Sequence, residues 1–259
     1  MIRSWLFTLV YWLLSILYVA LAAMCLVLPG RKAVGWVVRR YTRRMVQALH
    51  WIAGVRLKVV DRQKVPTEAC IIAAKHHSWF DGYCMYSQFD DVAFVTGDHL
   101  EKIPLLKGVL AKLGAIVVNN CGGHRARAAL AESAAKANEA GRRILIYPEG
   151  HLAKAGERYR YKTGVFHMYA NFGLPVVPVA TNLGVFAPQQ DVRKYSGVAT
   201  IQFLDPIPPG LPRGEFMRLL EDAVETHSDL LIAEARGGEV MASLLVPDPA
   251  AGGRPQSLQ

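Results

Sequence analysis

The chain has 259 residues and a formal net charge of +9, with 30 Lys and Arg against 21 Asp and Glu. That length accommodates one α/β domain with a full core plus an appendage, and argues against two independent domains. All the excess charge is N-terminal: residues 1–60 carry nine basic side chains and no acid, and residues 61–259 carry 21 of each sign. A nucleic-acid binder would spread its basic residues over a folded face with interleaved aromatics, so no nucleic-acid partner is expected. The four cysteines, Cys25, Cys70, Cys84 and Cys121, have neither C-x-x-C pairing nor framework spacing, which fits a reducing compartment and gives no metal site.

The first element is the uncharged run Ser4–Leu28. As a helix it would extend about 37 Å, enough for a hydrocarbon core of about 30 Å. It is too long for the apolar region of a signal peptide and lacks a small-x-small cleavage site. Pro29 and Gly30 break it, and a second helical pattern follows over Lys32–Ile52. At 100° per residue Arg39, Arg40, Arg43 and Arg44 share one arc, and Val34, Val38, Tyr41, Met45, Leu49 and Ile52 the opposite one. This pattern predicts an interfacial helix with its basic face toward anionic headgroups and its apolar face toward acyl chains, Trp36 and Trp51 lying at the boundary; a solvated basic face with the apolar side packed on the domain is the alternative, and the two are compatible in part. Basic residues just after the apolar run predict that the globular part is cytoplasmic, on the inner membrane. A crossing helix and a hairpin dipping into one leaflet both fit the pattern.

Beyond residue 54, strand-like runs occur at Val55–Val60, Ala69–Ala74, Val92–Val95, Ala115–Val118, Ile144–Tyr147, Val176–Ala180 and Ala199–Phe203. Helical patterns alternate with them near Phe80–Ser87, Leu105–Leu113, His124–Ala140 and Gly164–Phe172, and a last one covers Arg213–Ala235. Such alternation predicts an α/β fold, a mostly parallel central sheet flanked by helices. The organisation expected is a membrane-anchoring two-helix segment at 1–53, an α/β domain at 54–245 and a disordered Pro- and Gly-rich tail at 246–259.

Chemistry concentrates at the ends of these strands. His76 to Asp81 form an H-x-x-x-x-D block directly after the Ala69–Ala74 run. An imidazole with a carboxylate to fix its tautomer is a general base for a hydroxyl, and a strand's carboxyl end is where open α/β sheets bind ligands. Glu149 and Gly150 follow another strand, where Gly permits close backbone approach and a carboxylate can face a crevice. Lys162 and Gly164 open a helix whose positive end could hold an anion. The run Leu174–Val179, with two prolines, suits an edge strand or a rigid wall.

These blocks resemble the bacterial lysophosphatidic acid acyltransferase family, within the wider glycerolipid acyltransferase superfamily. The match comprises His76 to Asp81, Tyr147 to Gly150 for the family's F-P-E-G block, Leu174 to Val179 for its V-P-V-x-P-V block, and Lys162 with Gly164 between them. The resemblance implies acyl transfer from a thioester of acyl carrier protein or coenzyme A to the free hydroxyl of a lysolipid, with no cofactor beyond that co-substrate. His76 would be the base and Asp81 its orienting partner, with Ser78 a helix cap rather than a nucleophile. Two departures concern the acceptor. Asn120 stands where the family carries one arginine that meets the acceptor phosphate, and the family's Glu-Gly-Thr-Arg is here Glu149-Gly150-His151-Leu152, so the second arginine is absent too. Arg125, Arg127, Lys154, Arg158, Arg160 and Lys162 are nearby replacement donors, and Asn120 and His151 could themselves donate hydrogen bonds. Three functions follow: an acyltransferase making phosphatidic acid from lysophosphatidic acid, one acting on another lysolipid such as a lyso-ornithine lipid, or an idle membrane-bound lipid-binding homologue.

Overall fold

The structure, a computed structural model, describes residues 1–118 and 123–237, and for 123–130 the backbone alone. The expected tail at 246–259 and Asn120 lie outside the described residues, as do the side chains of Arg125 and Arg127.

Seven strands form one sheet: β1 (Val55–Val60), β2 (Ile71–Ala74), β3 (Val92–Gly97), β4 (Ile116–Val118), β5 (Arg143–Ile146), β6 (Val176–Thr181) and β7 (Gly197–Phe203), in the order β1-β7-β6-β2-β5-β3-β4. Only the β6–β7 pairing is antiparallel. The helices are α1 (Ile2–Met24), α2 (Lys32–Ala48), α3 (Trp79–Tyr86), α4 (Leu106–Leu113), α5 (Gly123–Glu139), α6 (Gly164–Phe172), α7 (Leu183–Phe186) and α8 (Arg213–Ala235). Central β2 is buried on both faces, as a strand covered by helices on each side must be. Ile72 and Ala74 face a cluster built with Phe7 of α1, Met45 of α2 and Phe80 of α3. Ile71 and Ala73 face a second cluster with Val165 of α6 and Phe216, Leu220 and Val224 of α8.

Two expectations are corrected. The Leu174–Val179 run is no edge: β6 lies between β7 and β2. Its proline is tolerated because the antiparallel ladder carries a bulge there. Val179 pairs with Phe203 and Val176 with Ile207, so one extra residue on the β7 side lies opposite Pro178, where no N–H is called for. The apolar face of α2 does not meet lipid either. Val34, Val37, Met45 and Leu49 are buried within the protein, against α1, α3 and α4, because that burial is available in the fold without a bilayer. Of the expected basic face, Arg40, Arg43 and Arg44 are exposed; Arg39 hydrogen-bonds Asp90, Arg43 pairs with the same carboxylate at 3.9 Å, and Arg44 bonds Gln47.

Helix α1 lies along the domain for its whole length. Arg3 donates to the Ile52 carbonyl, Phe7 packs edge-on to Phe80, the hydroxyls of Tyr11 and Tyr83 are 3.2 Å apart, and Lys112 of α4 donates to the carbonyls of Leu26 and Leu28. The opposite side of the helix, with Trp5, Leu9, Trp12, Leu13, Ile16 and Leu17, is exposed. Together with the following turn it makes a 26-residue stretch long and apolar enough to cross a membrane.

Candidate active site

The site is assembled where β2 and β5 end side by side. The chain leaves β2 at Lys75 and turns into α3, and the start of that helix fixes the carboxylate of Asp81. Ser78 is the N-cap, its hydroxyl accepting from Phe80 N at 3.2 Å and donating to the Ala187 carbonyl at 2.6 Å. A hydroxyl so engaged is a cap, not a nucleophile. Asp81 Oδ2 accepts from the backbone N–H groups of His77 and Ser78, each at 2.7 Å. The same oxygen lies 3.1 Å from His76 Nδ1. With Nδ1–H donating to Asp81, the lone pair of Nε2 is turned away from the carboxylate, and the His76 side chain, 19% exposed, is more open than its buried neighbours Lys75, His77 and Ser78.

The imidazole is also held from its face. Tyr147, the last residue before the Pro148–Gly150 turn, stacks on His76 with ring centroids 4.0 Å apart and planes 18° from parallel. Sequence reasoning missed this role, although the adjacency of two strand ends each followed by a motif was a usable signal. The loops are laced together: Ala153 N donates to the His76 carbonyl at 2.9 Å, and Lys162 N to the Pro148 carbonyl at 2.8 Å. His77 is no second base. Burial pushes its imidazole down to about 4, and its Cβ lies where a Cβ on Gly184 would have to be.

Glu149 is a correction. Its side chain does not face a crevice; it is fully buried and turned inward to Lys75 Nζ, 3.2 Å away. Its other oxygen accepts from His76 N at 3.4 Å. Burial outweighs the Lys75 charge and pushes the carboxyl up to about 7. Direct contact with an acceptor is therefore closed to it. Gly150, beside it, adopts φ +72°, and a Cβ there would come within 2.6 Å of Lys162 Nζ, so the lysine lies across the glycine at the mouth of the site. His151 is exposed and packs edge-on to Tyr159. Gly164 begins α6 next to Lys162. Arg158 is committed elsewhere, paired with Asp229 and near Glu225, and Lys154 pairs with Glu157. Among the described residues no group of three or more His, Cys, Asp or Glu side chains is placed to hold a metal ion.

The structure thus brings together His76, Asp81, Glu149, Gly150 and Lys162. A hydroxyl placed at His76 Nε2 would lose its proton to that nitrogen while Asp81 stabilises the resulting imidazolium. The geometry suits acyl transfer to an alcohol without a covalent enzyme intermediate.

Comparison with known proteins agrees. Residues 56–182 match the family model described as Acyltransferase. The chain is 29% identical over 176 residues to the 1-acyl-sn-glycerol-3-phosphate acyltransferase of Pseudomonas aeruginosa, covering 68% of each protein. It is also 29% identical over 139 residues to the enzyme of that name from Borreliella burgdorferi, spanning 53% of this chain and 55% of that one. The crystal structure of the 1-acyl-sn-glycerophosphate (LPA) acyltransferase of Thermotoga maritima superposes with a TM-score of 0.74 over 90% of this chain and 97% of that one, at 20% identity, which establishes the fold. The chain is an acyltransferase, and it belongs to the family that includes the bacterial 1-acyl-sn-glycerol-3-phosphate acyltransferases.

Proposed function

We propose that this enzyme acylates the free sn-2 hydroxyl of lysophosphatidic acid at the surface of a membrane, using an acyl thioester of acyl carrier protein or coenzyme A and giving phosphatidic acid for phospholipid synthesis. The observation that carries the reading is the accessible His76 ring with Nδ1 held at Asp81 and its face held by Tyr147. His76 Nε2 takes the hydroxyl proton as the oxygen attacks the thioester carbonyl. Collapse of the tetrahedral adduct expels the thiolate, which leaves with the proton from His76. Among the described residues Lys162, beside Gly150, supplies a cation for the acceptor phosphate.

The membrane reading rests on the outward face of α1. A contiguous apolar stripe with Trp5 and Trp12, on a helix bonded to the domain at both ends, fits a helix lying in the plane of one leaflet better than one crossing it. The catalytic loop is on the same side of the sheet as α1, so an acceptor would meet His76 without leaving the interface. The cytoplasmic face of the inner membrane is the location that the basic residues after α1 favour.

A second reading, acylation of a lysolipid without a phosphate monoester, is favoured by one observation: Arg158, the first arginine after the Gly150 turn, is engaged by Asp229. One experiment tests both. Purified protein in mixed micelles is given a labelled acyl thioester and a panel of lysolipids with and without a phosphate monoester, with His76→Ala alongside. Acylation confined to lysophosphatidate selects the first reading; acylation of a lyso-ornithine lipid alone selects the second. Full activity in His76→Ala refutes the mechanism.

A further inference from the structure

Lys75 and Glu225 form an ionic centre that the chemistry at His76 does not use directly. Lys75 is the residue immediately before the base, and its side chain is buried and points to Glu225 of α8. Its ammonium meets both carboxylate oxygens of Glu225 at 2.8 and 2.9 Å, the Glu157 carbonyl at 3.1 Å and Glu149 at 3.2 Å. Tyr161 donates to Glu225 at 2.8 Å from the other side. The side chains of Lys75, Glu149 and Glu225 are 1%, 0% and 2% exposed.

Ionisable groups buried together lose hydration that their mutual attraction often does not return, and apolar residues of the same volume often hold a fold as firmly. Stability alone does not account for them. Their connectivity does. Glu149 touches Lys75 through one oxygen and the His76 amide through the other, so the peptide joining residues 75 and 76 is closed into a ring of ionic and covalent links. Two residues before Glu149, Tyr147 stacks on the imidazole. The base is therefore gripped at its amide and at its ring by one turn. That turn is referenced to α8, far away in sequence, through Lys75 and Glu225.

We propose that Lys75 and Glu225 are positioning residues for acyl transfer: by anchoring Glu149 they fix the amide and the ring plane of His76, while neither touches a substrate. This rests on His76 being the base.

The test uses the full chain in micelles and compares kcat, KM for donor and acceptor, and thermal unfolding for Glu225→Gln, Lys75→Met and the two combined. Glu225→Gln keeps the shape and one acceptor oxygen for Tyr161 and Lys75, while it removes the charge and sets an NH₂ against the Lys75 ammonium in place of the second acceptor. The double variant removes one charge of each sign and that NH₂–ammonium encounter, so it remains informative if Lys75→Met fails to fold. The expected result is a roughly tenfold loss of kcat in Glu225→Gln, with both KM values within about twofold and the loss unrelated to the fraction folded. The double variant should lose no more than about the same factor, because the groups act as a unit. Wild-type kcat in folded Glu225→Gln overturns the proposal, as does a loss that appears in KM, that multiplies in the double variant, or that follows unfolding. His76→Ala run in parallel separates the two readings: if it is inactive while Glu225→Gln is normal, only the positioning role falls; if it is fully active, both fall.

Discussion

Replacing Asp81 by Asn changes one oxygen for an amide and tests how much of the site rests on that carboxylate. In the wild type Oδ2 accepts from His76 Nδ1 at 3.1 Å and from the N–H groups of His77 and Ser78 at 2.7 Å each, while Oδ1 is buried and has no hydrogen-bond partner among the described residues. Asn can present its carbonyl to those three donors, but its NH₂ must then occupy the place of Oδ1. An unsatisfied buried amide costs about 1–3 kcal/mol, and each of three hydrogen bonds loses its charge assistance, so a net loss of stability of about 2–4 kcal/mol is expected. The kinetic effect is larger. An imidazolium and a carboxylate with N and O 3.1 Å apart attract by about 5 kcal/mol at an effective dielectric of 20, an interaction present only once His76 has taken the proton. At 1.36 kcal/mol per factor of ten this predicts a fall in kcat of about a thousand- to ten-thousandfold, with little change in KM. The assay is transfer of labelled acyl chain to lysophosphatidate in micelles, paired with urea unfolding of the same preparation. A folded variant with kcat within about tenfold of wild type would show that Asp81 does no more than cap α3, and the base would need another source of orientation.

Tyr147→Leu keeps apolar volume and removes the stack on His76, and a kcat lowered by roughly ten- to thirtyfold with folding intact is expected from steady-state kinetics and thermal unfolding. His77, held down near 4 by burial, makes folding pH-dependent: the unfolded chain binds a proton between about 6.5 and 4 that the folded chain refuses, so the stability this group contributes is lost as pH falls through that window, by up to about 3 kcal/mol. Glu149, held up near 7, acts with the opposite sign, the folded chain keeping a proton that the unfolded chain releases, so stability declines as pH rises from about 4.5 to 7. Urea titrations across pH should therefore show a flatter acid limb in His77→Asn and no such decline in Glu149→Gln; unchanged pH profiles would contradict both assignments. Leu13→Asp with Leu17→Asp, on the outward face of α1, should weaken sedimentation with anionic vesicles by at least tenfold while leaving the fold intact, and undiminished binding would rule out that face as the lipid contact.

Much of the architecture is legible in the chain because it is local. Runs of Val, Ile and Ala mark the strands to within two or three residues, and α6 and α8 begin and end where their patterns do. The direction of β7 is not legible, since pairing partners distant in sequence set it, and the two prolines near β6 were misleading because the bulge that accommodates Pro178 arises on the partner strand. The amphipathic pattern of α2 is real, but a periodic apolar face states only that it is buried; α1, α3 and α4, not acyl chains, cover it. At the site, His76 and Asp81 are close in sequence and their meeting follows from the turn into α3. Lys75 and Glu225, 150 residues apart, and the ring of Tyr147 over His76 are contacts that the topology makes and that no spacing announces.

Helix α1 belongs at once to the interior and to the surrounding medium, and this ties the folding equilibrium to lipid. Phe7 is part of the main core, so unfolding the domain must also disturb the helix whose outer face would bind the bilayer. Any lipid or detergent that binds the folded form through that face raises the free energy of unfolding by RT ln(1 + [L]/Kd), about 2.7 kcal/mol when amphiphile is at a hundred times its Kd. On the proposed membrane reading, the melting temperature of this enzyme is a function of amphiphile concentration rather than a constant. Variants are comparable only at one fixed ratio of lipid to protein, and a bilayer that thins or fills during growth would change the working stability of the enzyme along with its supply of acceptor.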